Sequence, residues 1–186
     1  RKPPTLTVTG VAANAYYKAD PVITYGQSDL ASGLTTATLN GVPFTSGSAP
    51  VTPANTDADY TLHVTGSDAA GNVGPPVDIT FHVDKTLPTV DFTTAGFYQI
   101  GPTSFWIGSD TQEFSGPVAD AHLSRVVLSI NGTDEASDAT LTPGTWTRAA
   151  TAGRIKAGQL NTVAVRAIDL AGNVTTKSLT IQLDAG

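Results

Sequence analysis

The chain of 186 residues contains no cysteine and no methionine. Without cysteine there is no disulfide framework, no thiol nucleophile and no zinc–thiolate site, so each folded domain must be held by its core alone. This composition is compatible with an extracellular bacterial protein, in which residues that oxidise easily can be avoided.

Positive charge and long apolar runs are scarce as well. Ten Lys and Arg residues stand against 16 Asp and Glu residues, which gives a net charge of −6. The basic residues form no patch, and this excludes the electrostatic surface that nucleic-acid binding requires. No apolar run approaches the roughly 18 residues of a membrane-spanning helix, and no signal-peptide pattern opens the chain. Because the sequence starts RKPPTLTV, we expect a fragment whose parent protein carries the secretion signal or anchor.

Glutamate is nearly absent too, since 14 of the 16 acidic residues are aspartate and only Glu113 and Glu135 are glutamate. Aspartate favours turns, caps and hard cations over helix interiors. Thr and Val are abundant, and no stretch has a convincing helical period. The composition therefore predicts strands joined by turns.

The chain does contain one sequence motif that occurs twice. Residues 60–73 read YTLHVTGSDAAGNV and residues 161–174 read NTVAVRAIDLAGNV. The shared Asp-x-Ala-Gly-Asn motif begins at Asp68 and at Asp169, and the offset is 169 − 68 = 101 residues. This offset is too long for a solenoid repeat and suits one small β-domain, so the chain is expected to hold two copies of one module.

Alternation and turn residues predict antiparallel strands in both copies. Apolar and polar residues alternate on both sides of each motif, as they do in strands with one buried and one solvated face. Asn-Gly dipeptides at residues 40–41 and 131–132 lie between apolar runs. Because both residues tolerate φ > 0, they predict two tight hairpins.

About seven short strands in each copy predict a β-sandwich of immunoglobulin type. We therefore predict an all-β protein of two tandem immunoglobulin-like antiparallel β-sandwiches, residues 1–86 and residues 87–186. The alternatives are a jelly roll and one large sandwich, and the internal repeat argues against both. Residues 84–88, Asp-Lys-Thr-Leu-Pro, form a short linker in which the proline favours extended backbone, so we predict a stiff joint.

The alignment of the two copies uses a second pair of segments. Residues 19–29 and residues 101–110 both contain a proline followed by a strand pattern that ends at Ser-Asp. We therefore match them as the second strand of each copy. This match places Trp106 at the position of Tyr25 in the core, and Asp110 in the loop that follows the second strand.

Residues 60–88, YTLHVTGSDAAGNVGPPVDITFHVDKTLP, resemble the bacterial immunoglobulin-like modules of cell-surface adhesins, large secreted proteins and the tails of secreted glycosidases. The Asp-x-Ala-Gly-Asn hairpin carries most of the specificity. SDLASG at residues 28–33 also matches the family pattern, and SDTQEFSG at residues 109–116 matches it less well. The resemblance covers nearly the whole chain. It implies an extracellular spacer or adhesion module without enzymatic activity, and some members bind calcium at the joints between domains.

Two explanations fit the aspartates of the repeated motif. In the first, Asp68 and Asp169 accept backbone N–H groups across the turn, while the following Gly and Asn supply left-handed backbone. In the second, these carboxylates also bind a cation. In an immunoglobulin-type sandwich, the loop after the second strand and the last turn lie at the end where the chain enters, opposite the end where it leaves.

This topology places the loop and turn of the second copy towards the exit of the first. Carboxylate and carbonyl oxygens suit Ca²⁺. The candidate ligands of a calcium ion between the domains are Asp84, Asp91, Asp110, Asp169 and Asn173, with Glu113 in the same loop as Asp110. In the first copy, Asp29 and Asp68 are the equivalent residues.

His63 and His82 fall on the solvated face of one hairpin, where we expect them to be cross-strand neighbours. Two imidazoles can begin a zinc site or form a simple surface pair. The second copy has Ala164 and Gln182 at these places, which favours the surface pair. Aromatic residues at 16–17, 97–98 and 146 either pack inside the protein or stack on sugar faces.

The sequence gives no support for a catalytic function. No Gly-x-Ser-x-Gly elbow, P-loop or dinucleotide fingerprint occurs in the sequence, so we predict that the protein is not an enzyme. We expect a non-catalytic extracellular structural or adhesive tandem module that spaces and stiffens a larger bacterial surface or secreted protein. The alternative is a glycan-binding accessory module of a secreted enzyme. Expected partners are neighbouring domains of the parent chain and a host or cell-surface protein or glycan.

Overall fold

The computed structural model describes residues 2–28 and 33–184, and the described chain is built from strands. It divides into two compact units, Arg1–Thr86 and Leu87–Gly186. Each unit packs two sheets around its own core, which confirms the predicted fold class of two tandem immunoglobulin-like sandwiches. The described residues hold no helix of the length and apolarity that a membrane span requires.

Unit 1 is formed by the first seven strands. They are β1 (Leu6–Thr9), β2 (Tyr16–Tyr17), β3 (Thr24–Gln27), β4 (Leu34–Leu39), β5 (Val42–Phe44), β6 (Asp57–Ser67) and β7 (Val77–Asp84). The larger sheet has the order β2-β7-β6-β4-β5, and β1 pairs with β3 in the smaller one. The pairs are antiparallel except for β2 and β7, which run parallel.

The core of unit 1 follows from the alternation in its two longest strands. Leu62 and Val64 of β6 and Phe81 and Val83 of β7 are fully buried, because every second side chain of a strand points to the same face. Burying one such side chain stabilises the fold by about 1.5–3 kcal/mol. The Ile23 side chain, which precedes β3, packs into the same cluster from the other side of the sandwich.

The described residues of unit 2 form ten strands. They are β8 (Thr89–Val90), β9 (Tyr98–Gly101), β10 (Ser104–Ile107), β11 (Glu113–Ala119), β12 (Leu123–Ile130), β13 (Thr133–Asp134), β14 (Thr140–Thr142), β15 (Thr145–Ala149), β16 (Leu160–Asp169) and β17 (Val174–Leu183). One sheet has the order β13-β12-β16-β17-β10-β9 and the other the order β14-β15-β11-β8. Again one pair, β10 with β17, runs parallel.

Trp146 on β15 lies at the centre of the unit 2 core and is fully buried. Its indole Nε1 donates a hydrogen bond of 3.0 Å to the carbonyl oxygen of Asp91. Its ring meets Phe92 edge to face, with ring centroids 5.5 Å apart. This arrangement satisfies the one polar atom of the side chain while its apolar surface fills the space between the sheets.

Both Asn-Gly hairpins form as predicted, between β4 and β5 and between β12 and β13. The φ angles are 48° and 79° at Asn40 and Gly41, and 52° and 78° at Asn131 and Gly132. The asparagine side chains also bridge to the neighbouring strand. The Asn40 Oδ1 atom accepts the Thr61 N–H at 2.7 Å, and the Asn131 Oδ1 atom accepts the Thr162 N–H at 3.0 Å.

In each unit the chain enters at one end of the sandwich and leaves at the other. In unit 1 the carbonyl of Pro4 lies against Gly74, in the turn between β6 and β7. From this turn β7 runs eight residues to Asp84, a distance of about 26 Å. In unit 2, β8 pairs with the end of β11, and β17 runs ten residues away from the last turn.

The parallel pairs correct the alignment of the two copies. Trp106 lies opposite Gln182 of β17, as Tyr16 lies opposite His82 of β7. Strand β10 is therefore the counterpart of β2, and β11, which pairs with the first strand of its unit, is the counterpart of β3. The predicted match of Trp106 with Tyr25 is wrong, because strand pairing decides equivalence and the Pro-led strand pattern does not.

Candidate functional site

The Asp-x-Ala-Gly-Asn turn of unit 1 is organised by a buried carboxylate. Asp68 is only 4% exposed. Its Oδ1 atom accepts the N–H groups of Ala70 and Asn72, each at 2.9 Å. Its Oδ2 atom accepts the Asn72 side-chain amide at 2.8 Å. Gly71 supplies the left-handed backbone of the turn, with φ of 84°.

Asp169 does the same in unit 2. It is 3% exposed, its Oδ1 accepts the Asn173 N–H at 2.8 Å, and its Oδ2 accepts the Asn173 side-chain amide at 2.7 Å. Gly172 has φ of 84°. The turn explanation of the motif is therefore confirmed for the aspartate and the glycine. It is wrong for the asparagine: neither Asn72 nor Asn173 is among the described residues with positive φ, and each contributes its amide instead.

A carboxylate that the sequence reasoning missed lies beside Asp169. Asp120 follows β11, and carboxylate oxygens of Asp120 and Asp169 lie within 4.8 Å of each other. The sequence did contain a signal for Asp120. Asp120 stands two residues after Val118, as Asp29 stands two residues after Gln27. Val118 and Gln27 are equivalent, because each pairs with the first strand of its unit at the same place. Asp29 itself lies outside the described residues.

Asp110 and Glu113 are not near Asp169, and their predicted place in the loop that follows the second strand is wrong. Asp110 precedes β11, and its Oδ2 atom accepts the Gly153 N–H at 2.9 Å. Glu113 opens β11 opposite Ala149. The seven residues of β11 separate this end of unit 2 from Asp120 by about 20 Å. The error follows from the alignment that treated β10 as the second strand.

The remaining candidate ligands have separate places. Asp84 ends β7 opposite Asp57, is 1% exposed, and accepts the Thr86 N–H at 3.0 Å. Carboxylate oxygens of Asp57 and Asp84 lie within 4.8 Å of each other. Asp91 has an exposed side chain whose Oδ1 accepts the N–H of Phe92 at 2.8 Å. Binding of a cation by any of these residues stays a prediction.

The first linker residue after β7 is bonded within unit 1. The Lys85 ammonium donates to the Asp20 carboxylate and to the Thr52 carbonyl, each at 2.7 Å. Burial acts to raise the pKa of Asp20, but the bonds from Lys85 and Thr52 outweigh it and hold this pKa below its ordinary value of 3.8. The chain that leaves unit 1 is thus anchored to the sandwich by an ion pair formed with a residue far away in sequence.

His63 and His82 do not face each other across the hairpin, so their predicted pairing is wrong. His63 lies opposite Asp78, with Nδ1 and Oδ1 2.6 Å apart. His82 lies opposite Asp59, also at 2.6 Å. The two imidazoles are four strand positions apart, about 14 Å, which is too far for one metal ion. Each histidine is instead half of a His–Asp pair on the surface.

The two tryptophans have opposite environments. Trp146 is fully buried, as described above. Trp106 was predicted in the core, but its neighbours Phe105 and Ile107 are the buried residues of β10. Because successive side chains of a strand point to opposite faces, Trp106 lies on the outer face of its sheet, where it is partly exposed.

Comparisons with solved structures agree on the fold. Fibronectin(III)-like modules of CbhA from Clostridium thermocellum match 97% of this chain and 94% of their own, with a TM-score of 0.55 and 17% identity. A titin structure of three immunoglobulin domains matches 97% of this chain and 65% of its own, with a TM-score of 0.50 and 11% identity. No protein-family model and no curated protein matches the sequence. At these identities the likeness shows a tandem of immunoglobulin-like or fibronectin-III-like modules.

Proposed function

We propose that this chain is a non-catalytic tandem module that spaces and stiffens a larger extracellular bacterial protein, with direct adhesive contact to a host or cell-surface partner as part of the same role. One observation carries the proposal. In each unit a strand from the first part of that unit runs parallel to the last strand, β2 beside β7 and β10 beside β17. This pairing determines how a unit responds to tension.

Tension pulls the start of a unit and its end in opposite directions. Because the paired strands are parallel, the pull runs along the strands and loads all hydrogen bonds between them together. In unit 1 these bonds include Asn14 N–H to the Thr80 carbonyl at 2.7 Å and His82 N–H to the Ala15 carbonyl at 2.9 Å. A spacer in a surface protein experiences this load, so the geometry supports a mechanical role.

Unit 2 is expected to withstand more force than unit 1. Four residues of β10, Ser104–Ile107, pair with β17, whereas only two residues of β2 pair with β7. Pulling the whole chain by its termini in single-molecule force spectroscopy should therefore give two separate events, with unit 1 opening first. The released contour lengths should be about 300 Å for unit 1 and about 350 Å for unit 2, at roughly 3.5 Å per residue.

Thr180→Pro is a matched probe in unit 2, because the Thr180 N–H of β17 donates a hydrogen bond of 2.8 Å to the Thr103 carbonyl beside β10. Proline has no N–H and removes this bond, so the second event should shift to lower force while the first stays in place. A single event that releases both lengths together would refute the spacer model, and so would equal forces for the two units.

We also propose that calcium binds to carboxylates around the linker, residues 84–88. The donor chemistry fits the ion: Asp57 with Asp84 in unit 1, and Asp120 with Asp169 in unit 2, are close pairs of hard oxygen ligands. Asp91 and Asn173 are further candidate ligands, as predicted from the sequence. Asp110 is not a candidate ligand of this site, because it lies at the other end of unit 2.

Calcium should raise the unfolding temperature, and a chelator should reverse the effect. At a hundredfold excess over the dissociation constant, the gain in unfolding free energy is about 2.7 kcal/mol. Asp120→Asn should abolish the shift, and Asp110→Asn, at the other end of unit 2, should keep it. Calorimetric titration of the intact chain measures the same event. No shift and no heat with calcium would exclude the site.

A further inference from the structure

The outer face of the larger sheet of unit 2 carries two neighbouring aromatic side chains, Tyr98 and Trp106. Tyr98, Trp106, Gln182 and Leu160 lie directly opposite one another on β9, β10, β17 and β16, so their side chains share one face. Asp184, two residues after Gln182, falls on the same face. We name these five residues the aromatic face. Tyr98 is 74% exposed and Leu160 is 64% exposed.

A shallow depression of about 480 Å³ opens on this face, lined by Tyr98, Trp106 and Asp184. Its size lies within the range of sites for small molecules and sugar units. Tyr98 and Trp106 are cross-strand neighbours, and their Cβ atoms are therefore roughly 5 Å apart. Two aromatic side chains thus stand next to each other on a solvated surface.

Three polar groups of the face, on Tyr98, Trp106 and Gln182, can bind a ligand. Within residues 2–28 and 33–184, the Trp106 indole N–H, the Tyr98 hydroxyl and the Gln182 amide form no hydrogen bond with protein groups. By contrast, the indole N–H of Trp146, the other tryptophan of unit 2, donates a hydrogen bond to the Asp91 carbonyl oxygen. Donors and acceptors beside exposed ring faces are the combination that sugar recognition requires.

Unit 1 lacks this arrangement at the equivalent place. Tyr16 holds the position of Trp106, but its ring stacks on His82 with centroids 4.3 Å apart and planes 18° apart. His82 is in turn bonded to Asp59. Among the described residues of unit 1, β2 is the edge of its sheet, and no strand corresponds to β9. The aromatic face is therefore specific to unit 2.

We propose that the aromatic face of unit 2 binds a neutral polysaccharide of β-linked pyranose units. The C–H groups on the face of a pyranose ring with equatorial hydroxyls form an apolar surface that stacks on Trp106 and Tyr98. The ring hydroxyls can then bond to Gln182 and to the indole and phenol groups. Asp184 and the net charge of −6 disfavour anionic glycans. This site is independent of the spacer role, so either proposal can fail alone.

Titration of the whole chain with hydroxyethyl cellulose, xylan and mannan tests the site. Of the two tryptophans, Trp146 is fully buried, so a change in tryptophan fluorescence on binding reports Trp106. We expect a fluorescence change with at least one of these β-linked polymers, and calorimetry should show the corresponding heat. Trp106→Ala and Tyr98→Ala should each weaken binding by about tenfold, or about 1.4 kcal/mol.

Tyr16→Ala is the matched control, because Tyr16 holds the equivalent position in unit 1, and it should leave binding unchanged. Thermal unfolding checks that the variants are folded. If Trp106→Ala fails to fold, Tyr98→Ala decides, since that side chain is largely exposed. Absence of heat and fluorescence change with all three polymers would overturn the proposal. Undiminished binding by Tyr98→Ala, or stronger binding of amylopectin or heparin, would overturn it too.

Discussion

Trp146→Ala is expected to unfold unit 2 at a temperature more than about 10 °C lower than in the parent chain. Replacing a fully buried tryptophan by alanine costs about 3–5 kcal/mol, because the apolar surface is lost and a cavity remains. The cost is at the upper end here. The carbonyl of Asp91 loses its indole donor at 3.0 Å, and Phe92 loses its edge-to-face partner.

The loss should be confined to unit 2, because the buried residues of the two units form separate clusters. Calorimetric unfolding should therefore show one transition at its original temperature and one that has moved down. Trp106→Ala serves as the control with the same change in chemistry, and its expected cost is small because the ring lies partly exposed on the outer face. Equal effects of the two substitutions would show that the assignment of buried and exposed tryptophan is incorrect.

Asp169→Ala should cost unit 2 about 3 kcal/mol. The carboxylate accepts the N–H and the side-chain amide of Asn173, and hydrogen bonds to charged groups contribute about 1.5–3 kcal/mol each. Removing it leaves the two Asn173 donors of a partly exposed turn without their acceptor. Relief of repulsion from the nearby Asp120 offsets part of this loss. Asp68→Ala should have a comparable effect on unit 1, where the carboxylate accepts three bonds from Ala70 and Asn72.

Asp169→Asn separates charge from hydrogen bonding. The amide oxygen can still accept the Asn173 N–H, but the new NH₂ group faces the Asn173 amide, so an intermediate loss is expected. Asp138→Ala is the surface control, since Asp138 is about half exposed and only 3.9 Å from Arg125, and should change stability by less than about 0.5 kcal/mol. Urea unfolding measures the stability of all four variants. A loss at Asp169→Ala no larger than at Asp138→Ala would contradict the structural role of the motif.

The features that local chemistry governs could be predicted. Alternation predicted which residues of β6 and β7 are buried, because a strand turns every second side chain to the core. The Asn40-Gly41 and Asn131-Gly132 hairpins formed because both positions require φ > 0. The buried aspartate of the repeated motif was predicted because an Asp side chain readily accepts N–H groups of the following turn.

The features that depend on which strands pair could not be predicted from the sequence. The strand that contains Trp106 carries apolar residues on both faces, so its sequence does not say which face is inside. His63 and His82 were misplaced because the hairpin turns within residues 68–73, and Gly74, Pro75 and Pro76 then form an irregular segment before β7. A shift of the turn centre by two residues moves each histidine opposite an aspartate.

The amino-acid sequence alone therefore predicted two β-modules, their Asn-Gly hairpins and their carboxylate turns, since these follow from backbone preferences and side-chain alternation within a few residues. Tertiary structure was needed to place β10 beside β17, to bring Asp120 and not Asp110 beside Asp169, and to turn Trp106 outwards. Each of these outcomes depends on which distant strand supplies the hydrogen-bonding partner. The free energy of the whole core decides which strands pair, so the pairing cannot be predicted from any single segment of the chain.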